Sequence, residues 1–428
     1  MNTVSNRHVV AGAAAFTLSL LACSVQAAGF IEDSHASLRL NNYYFDRDYK
    51  GESNISARRE WAQGFTLKFT SGFTEGPVGF GLDAQGMLGV KLDSSGDRIG
   101  TGLLPTSRST GKAQDEYGEL GLTGKLRYSK TELHAGTVSP FLPVLFSSPA
   151  RLLLQTFRGA QLNSKEVDGL TLHAGWLDRM NLRDSTDYQP FTVAAPNGRF
   201  NPAAESDRFV FLGGDYQATP ALTLRYYYGE LDDIYQQHFA GLIHEADLGP
   251  GKFRTDIRYF HSDEDGSGKA GTVDNRNVGA YFSYGLGAHR LGAGYMHLSG
   301  KTAMPYITGS EPLVHSEGAL SSEFINPNER TWQVRYDYDF AGVGVPGLKG
   351  MVRYLKGSDI ELSPALGGKG LSESSRDLEL SYTVQSGSFK GVSLRVRNAH
   401  YRNDFAPTAA FRDGNETRIN IDYTLALW

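Results

Sequence analysis

Cysteine is all but missing: the 428-residue chain has one, Cys23. A protein of this size without disulfides must hold its fold together by other means. Long apolar runs are scarce as well. Beyond the N-terminal segment, no stretch reaches the roughly 20 apolar residues of a transmembrane helix, and a mean hydropathy of −0.35 excludes a bundle of such helices. Basic charge is not in surplus: 42 Lys and Arg against 47 Asp and Glu leave a net −5, so nothing suggests nucleic acid as a partner. Catalytic signatures are also lacking. Neither G-x-S-x-G nor H-E-x-x-H occurs, and the 11 histidines are scattered. No enzyme activity, cofactor or metal is therefore expected, and the acidic stretch Ser262–Ser267 reads as a solvated loop tip.

What is plentiful is glycine, at 50 residues, with 22 Tyr and 23 Phe. That composition suits strands, turns and aromatic girdles. Residues 1–27 read as a secretory signal peptide. Arg7 and His8 precede the apolar run Val9–Ala22, and Val25-Gln26-Ala27 makes a small-x-small cleavage site before Ala28. Leu20-Leu21-Ala22-Cys23 resembles a lipoprotein cleavage box, but leucine before the small residue suits it poorly. The remaining 28–428 form one domain.

The segment Thr331–Leu355 shows the pattern that the domain repeats. Trp332, Val334, Tyr336, Tyr338 and Phe340 make one face; Thr331, Gln333, Arg335, Asp337 and Asp339 make the other. A strict two-residue period marks a strand between two different environments. After the turn Ala341–Gly347, alternation resumes with Leu348, Gly350, Val352 and Tyr354 against Lys349, Met351, Arg353 and Leu355. Eighteen such segments follow one another, from Ser37–Tyr44 and Trp61–Thr70, through Tyr235–Leu248, to Val392–Arg397 and Arg418–Leu427. The connections alternate: short ones such as Ser129–Lys130 and Gly287–Ala288, long ones such as Asp178–Asp207 and Ser299–Arg330. Glu230–Ile234 stands among the long set but is itself short. Segregated loop lengths predict an all-β, 18-stranded antiparallel transmembrane barrel of the outer-membrane type. The last strand alternates Ile419, Ile421, Tyr423, Leu425 and Leu427 up to Trp428, the kind of ending that barrel-assembly machinery reads. With eighteen strands the barrel encloses water rather than packed side chains, so its function lies in the lining.

If the apolar face looks at lipid, parity sends the basic residues Arg39, Lys68, Lys91, Lys125, Arg127, Arg225, Arg254, Arg258, Arg335, Lys349, Arg353, Arg395, Arg397 and Arg418 into the bore. They outnumber the acidic set Asp83, Glu119, Asp256, Asp337, Asp339, Asp377, Glu379 and Asp422. Rings of Arg and Lys select anions, and the arginine fork matches a carboxylate. The competing reading is that these residues pair across neighbouring strands and only keep the wall in register. Asp337 and Asp339 would make the bore bipolar. The stretch Ser139–Phe157, SPFLPVLFSSPARLLLQTF, is too apolar for a loop in water, while Pro140, Pro143 and Pro149 forbid regular structure. Folding inward buries it, narrows the bore, and carries Arg151 and Arg158 towards the constriction. A cap on the other loops or a trimer contact is the alternative.

Several stretches resemble the OprD family of outer-membrane channels, also called Occ carboxylate channels. They are Gly29-Phe30-Ile31-Glu32-Asp33-Ser34, Asn42-Tyr43-Tyr44-Phe45-Asp46-Arg47-Asp48, Glu60-Trp61-Ala62-Gln63-Gly64-Phe65, Leu142-Pro143-Val144-Leu145 and Arg151-Leu152-Leu153-Leu154-Gln155-Thr156-Phe157. Ser206-Asp207-Arg208-Phe209, Gly213-Gly214-Asp215-Tyr216 and Arg258-Tyr259-Phe260 extend the match over the whole domain. The chain departs from the family pattern at Leu154, usually proline there, and at Arg158, often acidic there. The resemblance implies a monomeric or loosely trimeric barrel in the outer membrane that takes up small carboxylate-bearing solutes, amino acids or organic acids. It also implies an inward third loop, with Arg151 at the constriction, and a basic ladder. The rival classes are a non-specific or adhesive barrel and an outer-membrane enzyme. The first would carry larger, repetitive outer loops; the second needs the catalytic pairs that are lacking.

Overall fold

In the structure, a computed structural model, residues 29–51, 55–107 and 109–428 are described. The expected signal peptide, residues 1–27, lies outside them. Eighteen strands form the wall. They are β1 (His35–Tyr49), β2 (Ala57–Thr70), β3 (Val78–Ser94), β4 (Glu116–Tyr128), β5 (Thr131–Val138), β6 (Thr156–Ser164), β7 (Leu170–Asn181), β8 (Phe209–Thr219) and β9 (Leu222–Leu231). Then come β10 (Tyr235–Leu248), β11 (Gly251–Glu264), β12 (Asp274–Leu286), β13 (His289–Gly300), β14 (Arg330–Asp339), β15 (Leu348–Ile360), β16 (Leu371–Thr383), β17 (Ser393–Asn403) and β18 (Gly414–Ala426). Each pairs antiparallel with its neighbours in sequence, and β1 pairs with β18 from Ser37↔Ala426 to Tyr49↔Gly414, which closes the ring. Closure leaves no strand edge facing the bilayer, where an unpaired backbone group would cost several kcal/mol.

Burial is inverted relative to a water-soluble sheet, and the β14–β15 hairpin shows it residue by residue. Trp332, Val334, Tyr336, Val352 and Tyr354 are exposed on the outside, whereas Thr331, Gln333 and Arg353 are each at most 5% exposed. Large apolar residues recur on the outer face around the ring, from Leu120 and Leu212 to Ile421. The aromatic residues of β14 mark the two membrane boundaries. Trp332, which meets Tyr354 at 5.4 Å between ring centres, and Tyr338 stand six positions apart, about 20 Å along the strand. Long connections such as 182–208 and 301–329 leave one end of the barrel, short ones such as 129–130 and 287–288 the other, and 232–234 is the short exception on the long side.

The strands run further than alternation alone suggests, nearly always at the long-loop end. β15 continues past Leu355 to Ile360, β16 starts at Leu371 rather than Asp377, and β17 continues past Arg397 to Asn403, with Glu373↔Asn403 and Ile360↔Leu371 paired. Lipid imposes the apolar face, so the two-residue signal stops at the membrane surface. Backbone pairing does not depend on lipid and goes on above it.

The interior also holds an apolar core. Phe209, Tyr227, Phe239 and Phe260 from the wall pack with Phe191, Ile307, Phe324 and Ile325 from the long connections. Because Val334 lies mid-strand on the lipid face, Val334→Arg is expected to lower unfolding stability by about 2–4 kcal/mol. Urea unfolding in detergent or lipid, followed by the heat-modifiable gel shift, checks this. A loss well under 1 kcal/mol would contradict a lipid-facing position.

Candidate functional site

The third long connection, residues 139–155, turns into the barrel as its composition demands. Its prolines interrupt pairing after Val138, leaving only a miniature hairpin, Phe141–Leu142 with Leu145–Phe146. Leu142, Val144 and Leu145 join the main core, while Leu152 and Leu153 pack with Tyr43, Phe45 and Met87 of the wall. Gly64 permits that approach, since a Cβ there would stand 3.1 Å from the Leu152 side chain. Polar bonds fix the loop: Asn41 Nδ2 donates to the Leu152 carbonyl (3.1 Å), and the Tyr43 hydroxyl to that of Ala150 (3.2 Å).

A second loop shares the lumen, and sequence reasoning missed it. Residues 301–329 fold inward and are held by wall side chains at their carbonyls. Arg258 donates to Leu313 O (2.8 Å), Gln333 to His315 O (2.5 Å), Arg353 to Glu317 O (3.0 Å), and Arg418 and Arg47 to Leu320 O (2.6 and 3.3 Å). The signal was available: Met304-Pro305-Tyr306-Ile307 and Phe324-Ile325 are as unsuited to water as the third loop. The two loops are also joined. Gln155 donates to Thr308 O (2.9 Å) and accepts from Ser310 Oγ (3.0 Å), and Glu311 N donates to Phe146 O (3.3 Å).

Between these loops and β1, β17 and β18 lies a cavity of about 420 Å³. Arg39, Arg151, Arg395, Arg397 and Arg418, all expected from the sequence, converge on it, together with Arg47 and Arg183. Arg47 was missed because its strand was read as ending at Tyr44, and Arg183 because it sits in a connection. Glu311, Glu323 and Asp422 are the acidic residues in the lining. Some of the arginines are paired: Arg39 with Asp422 (2.5 Å), Arg395 with Glu379 (3.7 Å), and both Arg47 and Arg418 with Glu416. Three have neutral hydrogen-bond partners among the described residues. Arg151 donates to Thr101 O (2.8 Å) and Ala150 O (3.0 Å), Arg183 to Ser148 Oγ (3.3 Å), and Arg397 to Asn420 Oδ1 (2.8 Å) and the Tyr43 hydroxyl (3.1 Å). Burial, and after it the charges of Arg418 and Arg183, pull the pKa of Arg151 well down.

The other expected site residues lie elsewhere. Lys125 pairs with Asp83 (2.6 Å) and donates to Ser71 O (2.7 Å), and Arg127 stacks 4.2 Å from the Phe73 ring, both at the short-turn end. Arg335 grips Asp337 (2.7 Å) and Asp339 faces Lys349 (3.8 Å), so the two aspartates are matched locally, away from the arginine cavity. Arg353 is 3% exposed, paired with Asp377 (2.8 Å) beneath the 301–329 loop, and so is an anchor for that loop. Arg158 is not part of the arginine cavity. A register slip between Arg158 and Gly159 bulges the facing strand, Phe157 takes the interior face, and Arg158 is drawn to Asp178 (2.5 Å).

The description "outer membrane porin, OprD family" matches residues 28–427. The chain belongs to the OprD family of porins. The porin-like protein GalP of Pseudomonas putida is 37% identical over 402 residues, 94% of either chain. The crystal structure of Acinetobacter baumannii OccAB2 superposes with a TM-score of 0.89 at 44% identity, covering 94% of this chain and all of that one. Pseudomonas aeruginosa OpdK, crystallised with vanillate, gives 0.86 at 39% identity over 94% of this chain and all of that one. An OprD-family barrel places this porin in the bacterial outer membrane, as a passage for small solutes.

The porin's 301–329 loop rejoins the wall through Glu329, which is fully buried. Its carboxylate accepts from Asn326 N (2.9 Å), Asn326 Nδ2 (3.0 Å) and Thr331 Oγ1 (3.2 Å). Asn326 Nδ2 also donates to Glu373 (2.7 Å), and Arg199 donates to Asn326 Oδ1 (2.9 Å). Burial, then the Glu373 charge, push the Glu329 pKa well above the usual carboxylate range. A group with a raised pKa in the docked state holds its proton there. Its stabilising contribution is complete below the ordinary carboxylate pKa and is lost as pH rises towards the raised value. Open-channel current noise is therefore expected to be larger at a pH well above the ordinary carboxylate range than at one within it, as the loop loosens, and Glu329→Gln is expected to abolish that growth. A wild-type channel equally quiet at both pH values would contradict this anchor.

Proposed function

We propose that this porin conducts small carboxylate-bearing solutes, organic acids or amino acids, passively down their gradients, with no cofactor and no covalent step. The observation that carries the reading is the convergence of Arg151, Arg183 and Arg397 on one cavity with neutral partners. In a narrow, low-dielectric passage, guanidinium groups not neutralised by carboxylates attract anions, and their fork suits two oxygens. OpdK, 39% identical, was crystallised with vanillate, a small aromatic carboxylate, which agrees with this chemistry. Substrate contacts are assigned to Arg39, Arg151, Arg395, Arg397 and Arg418, with Arg47 and Arg183 added. Lys125, Arg127 and Arg335 would at most attract solute along the exit half. One chain closes the barrel, so a monomer suffices for passage and a loose homotrimer would add nothing to the lining. The alternating end of β18 before Trp428 suits docking to the assembly machinery.

Reversal potentials in planar bilayers under a KCl gradient test the proposal. The wild type is expected to prefer anions, and Arg151→Ala and Arg397→Ala each to lower the anion-to-cation permeability ratio by about two- to fivefold, ~0.4–1 kcal/mol. Cation preference unaffected by either change would mean that the arginines serve structure alone.

A further inference from the structure

Glu416, on β18, is a feature of this region that conduction by arginines leaves unexplained. Its carboxylate is 1% exposed and lies among the arginines of the cavity, in the place where an anion-selective passage has least use for a negative charge. Both of its oxygens are engaged, one by Arg47 Nε (2.5 Å) and the other by Arg418 Nε. Those two arginines, approached from opposite sides of the barrel closure (β1 and β18), also share the Leu320 carbonyl of the 301–329 loop. One buried carboxylate thus sets the direction of two guanidiniums that line the passage. The neighbouring Arg39–Asp422 pair differs in kind: its side chains are 46% and 32% exposed, so water screens it.

We infer that Glu416 is a positioning residue for anion transit, which aims Arg47 and Arg418 at the passage and competes with the passing carboxylate for them, so that the solute leaves quickly. This rests on the carboxylate reading above. A conducting site must bind well enough to admit its solute and weakly enough to release it. Without Glu416, Arg47 and Arg418 would have no resident carboxylate and would hold an anion longer, because opposite charges attract strongly where water is excluded. A resident carboxylate within hydrogen-bond reach of both returns each guanidinium to a bonded state when the solute moves on, which lowers the barrier to release. Glu416 therefore acts on the rate of departure more than on the rate of arrival, which the wider basic field of the passage sets.

The test uses the full-length porin in planar bilayers with benzoate as probe, reading single-channel dwell times and event frequencies. Glu416→Gln is expected to lengthen benzoate dwell by about fivefold, with event frequency changing by less than about twofold, and the lengthening should shrink in 1 M KCl. Glu416→Asp keeps the charge but reaches less far, and is expected to fall between wild type and Glu416→Gln. A purely structural role would instead widen or destabilise the passage and shorten dwell. Unchanged or shorter dwell in Glu416→Gln, in channels of near wild-type conductance, overturns the inference. If Glu416→Gln does not assemble into a heat-modifiable barrel, Glu416→Asp decides: longer dwell than wild type supports the inference, and equal or shorter dwell overturns it. A wild-type channel that prefers cations sinks the carboxylate reading and this inference together. A wild-type channel that prefers anions, with dwell unaffected by Glu416→Gln, sinks the inference alone.

Discussion

Backbone hydrogen bonding without water is the constraint on which everything else in this porin depends. In the hydrocarbon layer each N–H and C=O must find a partner inside the wall, and the β1–β18 pairing supplies the last of them. Once the ring is closed, its outer face must be apolar and its inner face is free to be polar. That freedom is what lets Arg39, Asn41, Tyr43 and Arg47 stand on the inward side of β1, with Phe45 among them. An open sheet with the same residues would expose an edge, lose its register with β18, and separate Arg418 and Glu416 from Arg47.

The same constraint governs the loops inside the tube. A chain that enters a barrel brings carbonyl groups that strands no longer satisfy, and buried acceptors need donors. Wall side chains provide them: Arg258, Gln333, Arg353, Arg418 and Arg47 for the 301–329 loop, Asn41 and Tyr43 for the third loop. Arginine therefore does two jobs here. Arg353, tied to Asp377 and a loop carbonyl, holds the 301–329 loop in place; Arg151, Arg183 and Arg397 line the cavity between the loops and keep neutral partners. Arg418 does both, and it is the residue on which the wall, the loop and the passage meet.

Much of this could be read in advance where the physics is local. Alternation of Trp332, Gln333, Val334, Arg335 and Tyr336 follows directly from the pleat, so facing could be assigned one residue at a time, and Arg39, Arg395, Arg397 and Arg418 were placed on that basis alone. Arg158 was expected to travel inward with the third loop, but it already stands on β6 beside a register slip, where Asp178 holds it. Arg47 was overlooked for another reason: its part of β1 stands above the membrane, where no lipid enforces alternation. Arg183 sits in a connection with no period at all. Parity also could not tell a cavity-lining arginine from an anchoring one, because Arg353 and Arg397 look alike in sequence and differ only in what lies across from them.

By itself, the sequence determined the barrel: the two-residue period, the segregated loop lengths and the near absence of cysteine and long apolar runs allow few other solutions for a chain of 428 residues. It also determined that the third loop must bury itself, since its prolines and leucines suit neither a strand nor water. Only the tertiary structure decided that the 301–329 loop joins it, that Gln155 locks the two together, and which arginines keep neutral partners. The physical reason is separation along the chain. Strand facing is set by adjacent residues, whereas the field in the passage is set by groups from β1, β18 and three loops, brought together only when the ring closes.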